Sequence, residues 1–179
     1  PHRSETNGIA EAAVRRVIEG TASVLTQSGF ADDWWAHAMR AFCFMRCIVD
    51  LIVSGGTPYF NRFGVDYQGP VIPFGAEIRY LPITEKDKSR LHALGTKEIP
   101  GIFIGYHQFA GGGWSGDLLV ADWDEFETKD TVRQINIKRF KADEVRAVTK
   151  EEIFQFPLAE GDLKQPGLRA SEVRKVKLK

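Results

Sequence analysis

The chain has 179 residues, 43% of them hydrophobic and 27% charged, which is enough to bury the core of one ordinary domain or two small ones and excludes overall disorder. Lys plus Arg equals Asp plus Glu at 24 each, so bulk charge argues neither for nor against a nucleic-acid partner. The first residue is proline and no charged-then-apolar leader precedes the first helical pattern, so the expectation is a piece of a longer chain with no secretory signal.

From about Asn7 to Ser28, Ile9, Ala10, Ala13, Val14, Val17, Ile18, Val24 and Leu25 recur at helical spacing, and Gly29 is placed to end the helix. Asn7, Glu11 and Arg15 fall four apart, so an amide, a carboxylate and a guanidinium share one face near the helix start. Such a ladder can be a solvated face carrying an i to i+4 Glu–Arg pair. It can also serve chemistry, because a carboxylate helps hold a hard divalent cation while the amide and the arginine hydrogen-bond phosphate.

A second helix is signalled by Asp32 or Asp33 as N-cap and by Trp35, Ala38, Met39, Phe42, Met45, Val49 and Val53, with an end expected at Gly55-Gly56. His37, Arg40, Arg46 and Asp50 interrupt this apolar stretch, which makes a bilayer span too costly and predicts a soluble chain with no membrane partner. Cys43 and Cys47 lie four apart without a zinc or disulfide pattern, and they read as buried free thiols in a reducing compartment. Two helices with wide apolar faces need a surface to lie against, so exposed apolar surface is expected unless they pair with each other or with a partner.

Thr57-Pro58 opens a short third helix around Tyr59, Phe60 and Phe63 that Gly64 closes. Pro70, Pro73 and Gly75 mark a linker, and a domain boundary is placed near residue 70. Short strands follow at Ala76 to Leu81, Gly101 to Tyr106, Asp117 to Trp123 and Val132 to Arg139, which suggests a small antiparallel barrel. Its expected core is Ile78, Tyr80, Ile102, Ile104, Tyr106, Leu118, Val120 and Trp123. Lys141 to Arg146 and Thr149 to Phe154 are read as a helical turn and a further strand, and the chain past Phe156 as an extended, poorly ordered end.

Gly111-Gly112-Gly113 reads as a hairpin turn, because no phosphate-loop pattern surrounds it. Gly113-Trp114-Ser115-Gly116 falls one residue short of a nucleophile elbow. Asp122, Asp124, Glu125 and Glu127 read as a solvated strand end. Nine acids against five bases between Glu77 and Glu127 make the barrel acidic, so it is expected to serve assembly, with Phe103, Tyr106, Phe109, Trp114 and Trp123 in its core. Lys164, Arg169, Arg174, Lys175, Lys177 and Lys179 against Glu172 make a basic tail that would add salt-dependent affinity for a polyphosphate.

Pro1 to Arg15 resembles the end of the catalytic domain of copia-type retrotransposon integrases, whose pattern is a proline, a polar loop, Asn-Gly, an apolar-Ala-Glu and an Arg four residues on. Asn7, Gly8, Ala10, Glu11 and Arg15 match it, while Ala12 and Val14 stand where the family usually has a basic residue and often an Asn. The Thr57-Pro58-Tyr59 segment and the Gly101 to Tyr106 strand resemble the family's exit from that domain and its SH3-like module, in the family's order. The likeness covers about residues 1 to 130.

It implies an α+β chain in three parts. Residues 1–69 would be the C-terminal helices of an incomplete ribonuclease H-like core, 70–140 an SH3-like barrel, and 141–179 an extension with a basic tail. It further implies that Glu11 is the third acid of an Asp, Asp, Glu triad holding two Mg2+ ions, and that Asn7, Arg15 and Arg16, with Arg174, Lys175 and Lys177 of the tail, face DNA. Element ends and target DNA would be the partners, the full-length enzyme a homo-oligomer, and the nucleus its location. Cleavage and joining of phosphodiesters would belong to the whole enzyme, since one carboxylate makes no two-metal site. The rival expectations are a non-enzymatic protein and nucleic-acid interaction module, or an inert remnant of such an element.

Overall fold

The computed structural model describes residues 4–53, 55–93 and 95–166. Helix α1 spans Ser4–Ser28, as its apolar spacing predicts. Gly29 ends it at φ 74°, and the Phe30 N–H donates to the Leu25 carbonyl at 3.1 Å. A 3-10 turn at Asp32–Trp34 leads into α2, Trp35–Val49. Neither aspartate caps α2 through its side chain, and the helix stops at Asp50, well before the glycines. Arg46 and Asp50 form an ion pair across that last turn, and the β-branched Ile52 and Val53 beyond it favour extended backbone. Helix α3, Pro58–Phe63, has the predicted ends: the Phe60 N–H donates to Thr57 Oγ1 at 3.1 Å, and Gly64 turns left-handed at φ 71°.

The strands are β1 (Glu77–Tyr80), β2 (Ile99–Gln108), β3 (Trp114–Asp122), β4 (Ile137–Lys141) and β5 (Val145–Ala147). Short helices α4 (Glu85–Lys88) and α5 (Trp123–Thr128) interrupt them. A separate hairpin of β6 (Thr149–Lys150) and β7 (Ile153–Phe154) precedes helix α6, Pro157–Glu160. The class is α+β. The fourth strand lies later than its predicted span, because Val132–Gln134 closes into a 3-10 turn.

All pairings in the main sheet are antiparallel, in the order β4-β3-β2-β1-β5, and the sheet is open. The edge strands β4 and β5 are nevertheless joined only by the 3-10 turn Ala142–Glu144. A flat five-stranded sheet would hold its edges roughly 19 Å apart at the usual strand spacing. Three residues advancing about 2 Å each cannot cover that, so the sheet curls strongly. Two register shifts in the β2–β3 pairing, after Phe103 and after Tyr106, supply local twist.

Both faces of the curled sheet are buried. On one, Ile78, Tyr80, Phe103, Leu118, Val120 and Phe140 pack with Phe44 and Ile48 of α2 and Tyr59 of α3. On the other, Ile102, Ile104 and Ala121 pack with Leu25, Phe30, Trp34, Ala38 and Ala41. Helical and sheet residues from either side of residue 70 therefore share each cluster. Seven of the eight expected core residues are buried, and Trp123 is half-buried because it begins α5 rather than ending a strand. Phe109 departs furthest from expectation, 61% exposed at the β2–β3 turn.

The segment past Phe156 is not extended up to Pro166. Pro157, Leu163 and Pro166 are buried, and α6 packs against the end of α1, where Gln165 Nε2 donates to the Gly29 carbonyl at 3.0 Å. No helix among the described residues is long and apolar enough to cross a membrane.

Two substitutions probe this packing. A Cβ at Gly29 would lie 2.4 Å from the Ala159 backbone nitrogen, at a φ that L side chains resist. Gly29→Ala is therefore expected to cost at least about 2 kcal/mol, read from the urea midpoint at unchanged slope. In the β6–β7 hairpin the two-residue turn is Glu151-Glu152, with φ 52° and 66°. Both values suit Asn-Gly far better, so Glu151→Asn with Glu152→Gly is expected to stabilise by about 1–2 kcal/mol in the same measurement.

Candidate functional site

Among the described residues, burial in α1 begins only at Thr21. The helix from Asn7 to Glu19 is a limb standing clear of both cores. Ile9 is 79% exposed, Val14 58% and Ile18 63%, while Asn7, Glu11, Arg15 and Arg16 are all exposed on the same limb. Ala10, Glu11, Val14, Arg15, Ile18 and Glu19 line a single strip along it, so the carboxylate of Glu11 sits among uncovered apolar side chains. No salt bridge joins Glu11 to Arg15 among the described residues, so the local pairing that would account for the ladder is not formed.

Glu11 is the one acid on that strip besides Glu19, a full two turns away. No group of three or more His, Cys, Asp or Glu among the described residues is placed to hold a metal. The side chains present therefore do not fit a two-magnesium site by themselves. The other expected DNA-facing positions, Arg174, Lys175 and Lys177, lie outside the described residues, as does the basic tail beyond Lys164.

Among the acids at the end of β3, Asp124 and Glu127 are exposed as expected, but Asp122 is not. Asp122 is 2% exposed rather than solvated. Its oxygens accept from Tyr80 Oη at 2.6 Å, from Arg90 at 2.6 and 3.1 Å, from Lys138 Nζ at 3.3 Å and from the Asp124 N–H at 3.0 Å. Asp87, also buried, accepts from Lys138 Nζ at 3.2 Å and from Thr84 Oγ1 at 2.8 Å, and Arg90 reaches Asp124 at 2.6 Å. This network ties the loop bearing α4 to the ends of β1, β3 and β4.

Burial would push the Asp122 carboxyl up. The hydrogen bonds from Arg90, Tyr80 and the Asp124 N–H, with the Arg90 charge, outweigh it and hold the group below the usual carboxylate range. Burial, and then Asp122, drive the Tyr80 phenol well above its ordinary value. Every carboxylate in the cluster has a cation against it, so it reads as a structural clamp. The clamp also changes the charge account. Glu77, Glu85, Asp87, Glu98, Asp117, Asp122 and Asp124 all find Lys or Arg partners, several of them Lys138, Arg139 and Arg146 from beyond the counted window.

Ser115 has a histidine beside it: His107 Nδ1 lies 2.8 Å from its Oγ. The ring's other nitrogen, Nε2, is 3.3 Å from Arg139 Nη1, which can only donate. Nε2 is then the acceptor, Nδ1 carries the hydrogen, and the Ser115 hydroxyl donates to the His107 carbonyl at 3.1 Å. In that tautomer the ring cannot take the serine proton, so the pair is not a nucleophile and its base.

The cysteines are free, but Cys47 is exposed rather than buried, because it falls on the outer face of α2. Desolvation raises both thiols, so neither is an activated thiolate. No family model, curated protein or solved structure matches the chain.

The Asp122 shift fixes a sign. A carboxyl whose folded value lies below its unfolded one contributes stability above the unfolded value of about 3.9 and loses it as pH falls through the folded value. Unfolding free energy is expected to fall as pH drops below about 4, and Asp122→Asn to flatten that slope. At neutral pH the same substitution is expected to cost about 2 kcal/mol, since it removes the buried charge that accepts hydrogen bonds from Tyr80, Arg90 and Lys138; denaturant titrations across pH measure both.

Proposed function

We propose that the chain serves as the C-terminal part of a copia-type integrase, with Glu11 one acid of a metal site whose other carboxylates come from outside the described residues. The observation that carries this reading is the limb of α1. The Glu11 carboxylate lies in an apolar strip that the other described residues leave bare, and a helix with Ile9, Val14 and Ile18 uncovered is built to be covered. A missing sheet laid on that strip would bury the apolar side chains and bring Glu11 beside its acids in one step.

The Asn7, Glu11, Arg15 ladder, unpaired internally, leaves the amide and the guanidinium available to phosphate. The SH3-like part of the reading draws support from the strand order and curl, a four-strand meander whose fifth strand returns to pair with the first. Nuclear location, DNA-end and target-DNA binding and homo-oligomerisation belong to this same proposal.

The rival reading, a non-enzymatic interaction module, is favoured by a different feature: α2 already spends its apolar stripe on the chain's own sheet, so the body needs no further layer to be stable. The two readings separate in one assay. The chain extended at its N-terminus by the residues its gene encodes ahead of Pro1 is tested for magnesium-dependent joining of DNA ends. Joining that falls at least a hundredfold in Glu11→Gln supports the integrase reading, and the unextended chain is expected to show none. No joining by the extended chain, an upstream sequence without two further aspartates, or joining that survives Glu11→Gln contradicts it.

A further inference from the structure

Where the first turns of α2 approach the β2–β3 hairpin, an open cleft of about 380 Å³ remains, within the size range of small-ligand sites. Its titratable lining is His37 and Arg40 from α2 and Tyr106 and His107 from β2; no carboxylate among the described residues lines it. Arg40 is exposed and makes no salt bridge among the described residues. Burial, and then the Arg40 charge, hold the His37 imidazole below its ordinary value. Two basic groups thus sit together with nothing acidic between them, an arrangement that an anion converts from repulsive to attractive.

At the rim stands Phe109, the exposed aromatic that sequence reading placed in the core. The adjoining turn is pinned by the Phe109 N–H to the Gly113 carbonyl at 2.9 Å and the Gly112 N–H to the Phe109 carbonyl at 2.8 Å, so the ring stands on a held turn.

We propose that this cleft binds a phosphate-bearing ligand of nucleotide size, with the phosphate between Arg40 and His37 and the base against Phe109. A guanidinium fork matches two phosphate oxygens, and an exposed ring offers a face to any base. A cleft made for carboxylates would have no use for the ring. The ligand chemistry is shared by free nucleotides and by the end of a single strand. The site takes no part of α1's limb, so it stands or falls separately from the Glu11 reading.

The test is a fluorescence titration of the whole chain with labelled AMP and a labelled oligo-dT hexamer, with inorganic phosphate and a hexaglutamate peptide as competitors. Arg40→Ala is expected to weaken both labelled ligands at least tenfold. Phe109→Ala is expected to weaken them several-fold while leaving competition by inorganic phosphate intact. Both residues are exposed, and unchanged thermal midpoints show that the variants fold. AMP binding as tightly as the oligonucleotide identifies a free nucleotide as the ligand, and a tenfold preference for the oligonucleotide identifies a strand. No binding at millimolar ligand, indifference to Arg40→Ala, or stronger competition by hexaglutamate than by phosphate overturns the proposal.

Discussion

The structure depends on one helix being shared. Ala38, Ala41, Phe44 and Ile48 of α2 are buried, and they divide between the two cores that cover opposite faces of the curled sheet. The small residues, Ala38 and Ala41, lie with Trp34 and Phe30 in one core, and the large Phe44 lies against Tyr59, Tyr67 and Tyr106 in the other. α1 meets α2 only over its C-terminal turns, where the Phe42 ring occupies the space a Cβ would fill at Gly20. Residues 7–16, the portion carrying Asn7, Glu11 and Arg15, are left exposed.

Local signals in the sequence were reliable for most elements whose determining partners are near in the chain, the two ends of α2 excepted. The helical spacing of α1 with its terminal Gly29, the Thr57 cap and the Gly64 stop of α3, the Gly111 to Gly113 turn and the short apolar runs of β1 to β3 are all set by neighbours a few residues away. The failures have a common cause. Asp122 looks like one of a run of surface acids until the fold brings Arg90 from 32 residues upstream and Lys138 from 16 downstream onto its carboxylate. Pro157 to Pro166 reads as a loose end by its prolines and glycines, yet it is ordered by the end of α1, more than a hundred residues earlier. An acidic barrel inferred from a window ending at Glu127 could not include the cations of β4 and β5 that neutralise it.

The candidate site divides the same way. Glu11 is found by motif and by helical spacing, and the structure adds what spacing cannot: that the surrounding apolar side chains are bare and that no arginine of this helix neutralises the acid. The cleft of His37, Arg40 and His107 has no sequence pattern at all, since its residues are brought together by α2 crossing β2. Phe109 was the available clue, an aromatic beside a glycine run in a hairpin turn, where a ring has little core to enter.

The most direct measurement is hydrogen exchange along residues 7–20 in this chain and in the chain extended by its own upstream sequence. If the strip around Glu11 is a docking face for a missing sheet, amides of that limb exchange rapidly here and slow at least a hundredfold when the sheet is present. Equal exchange in both, with the protection of α2 and β2 unchanged, would show that the limb has nothing to be covered by and would contradict the account.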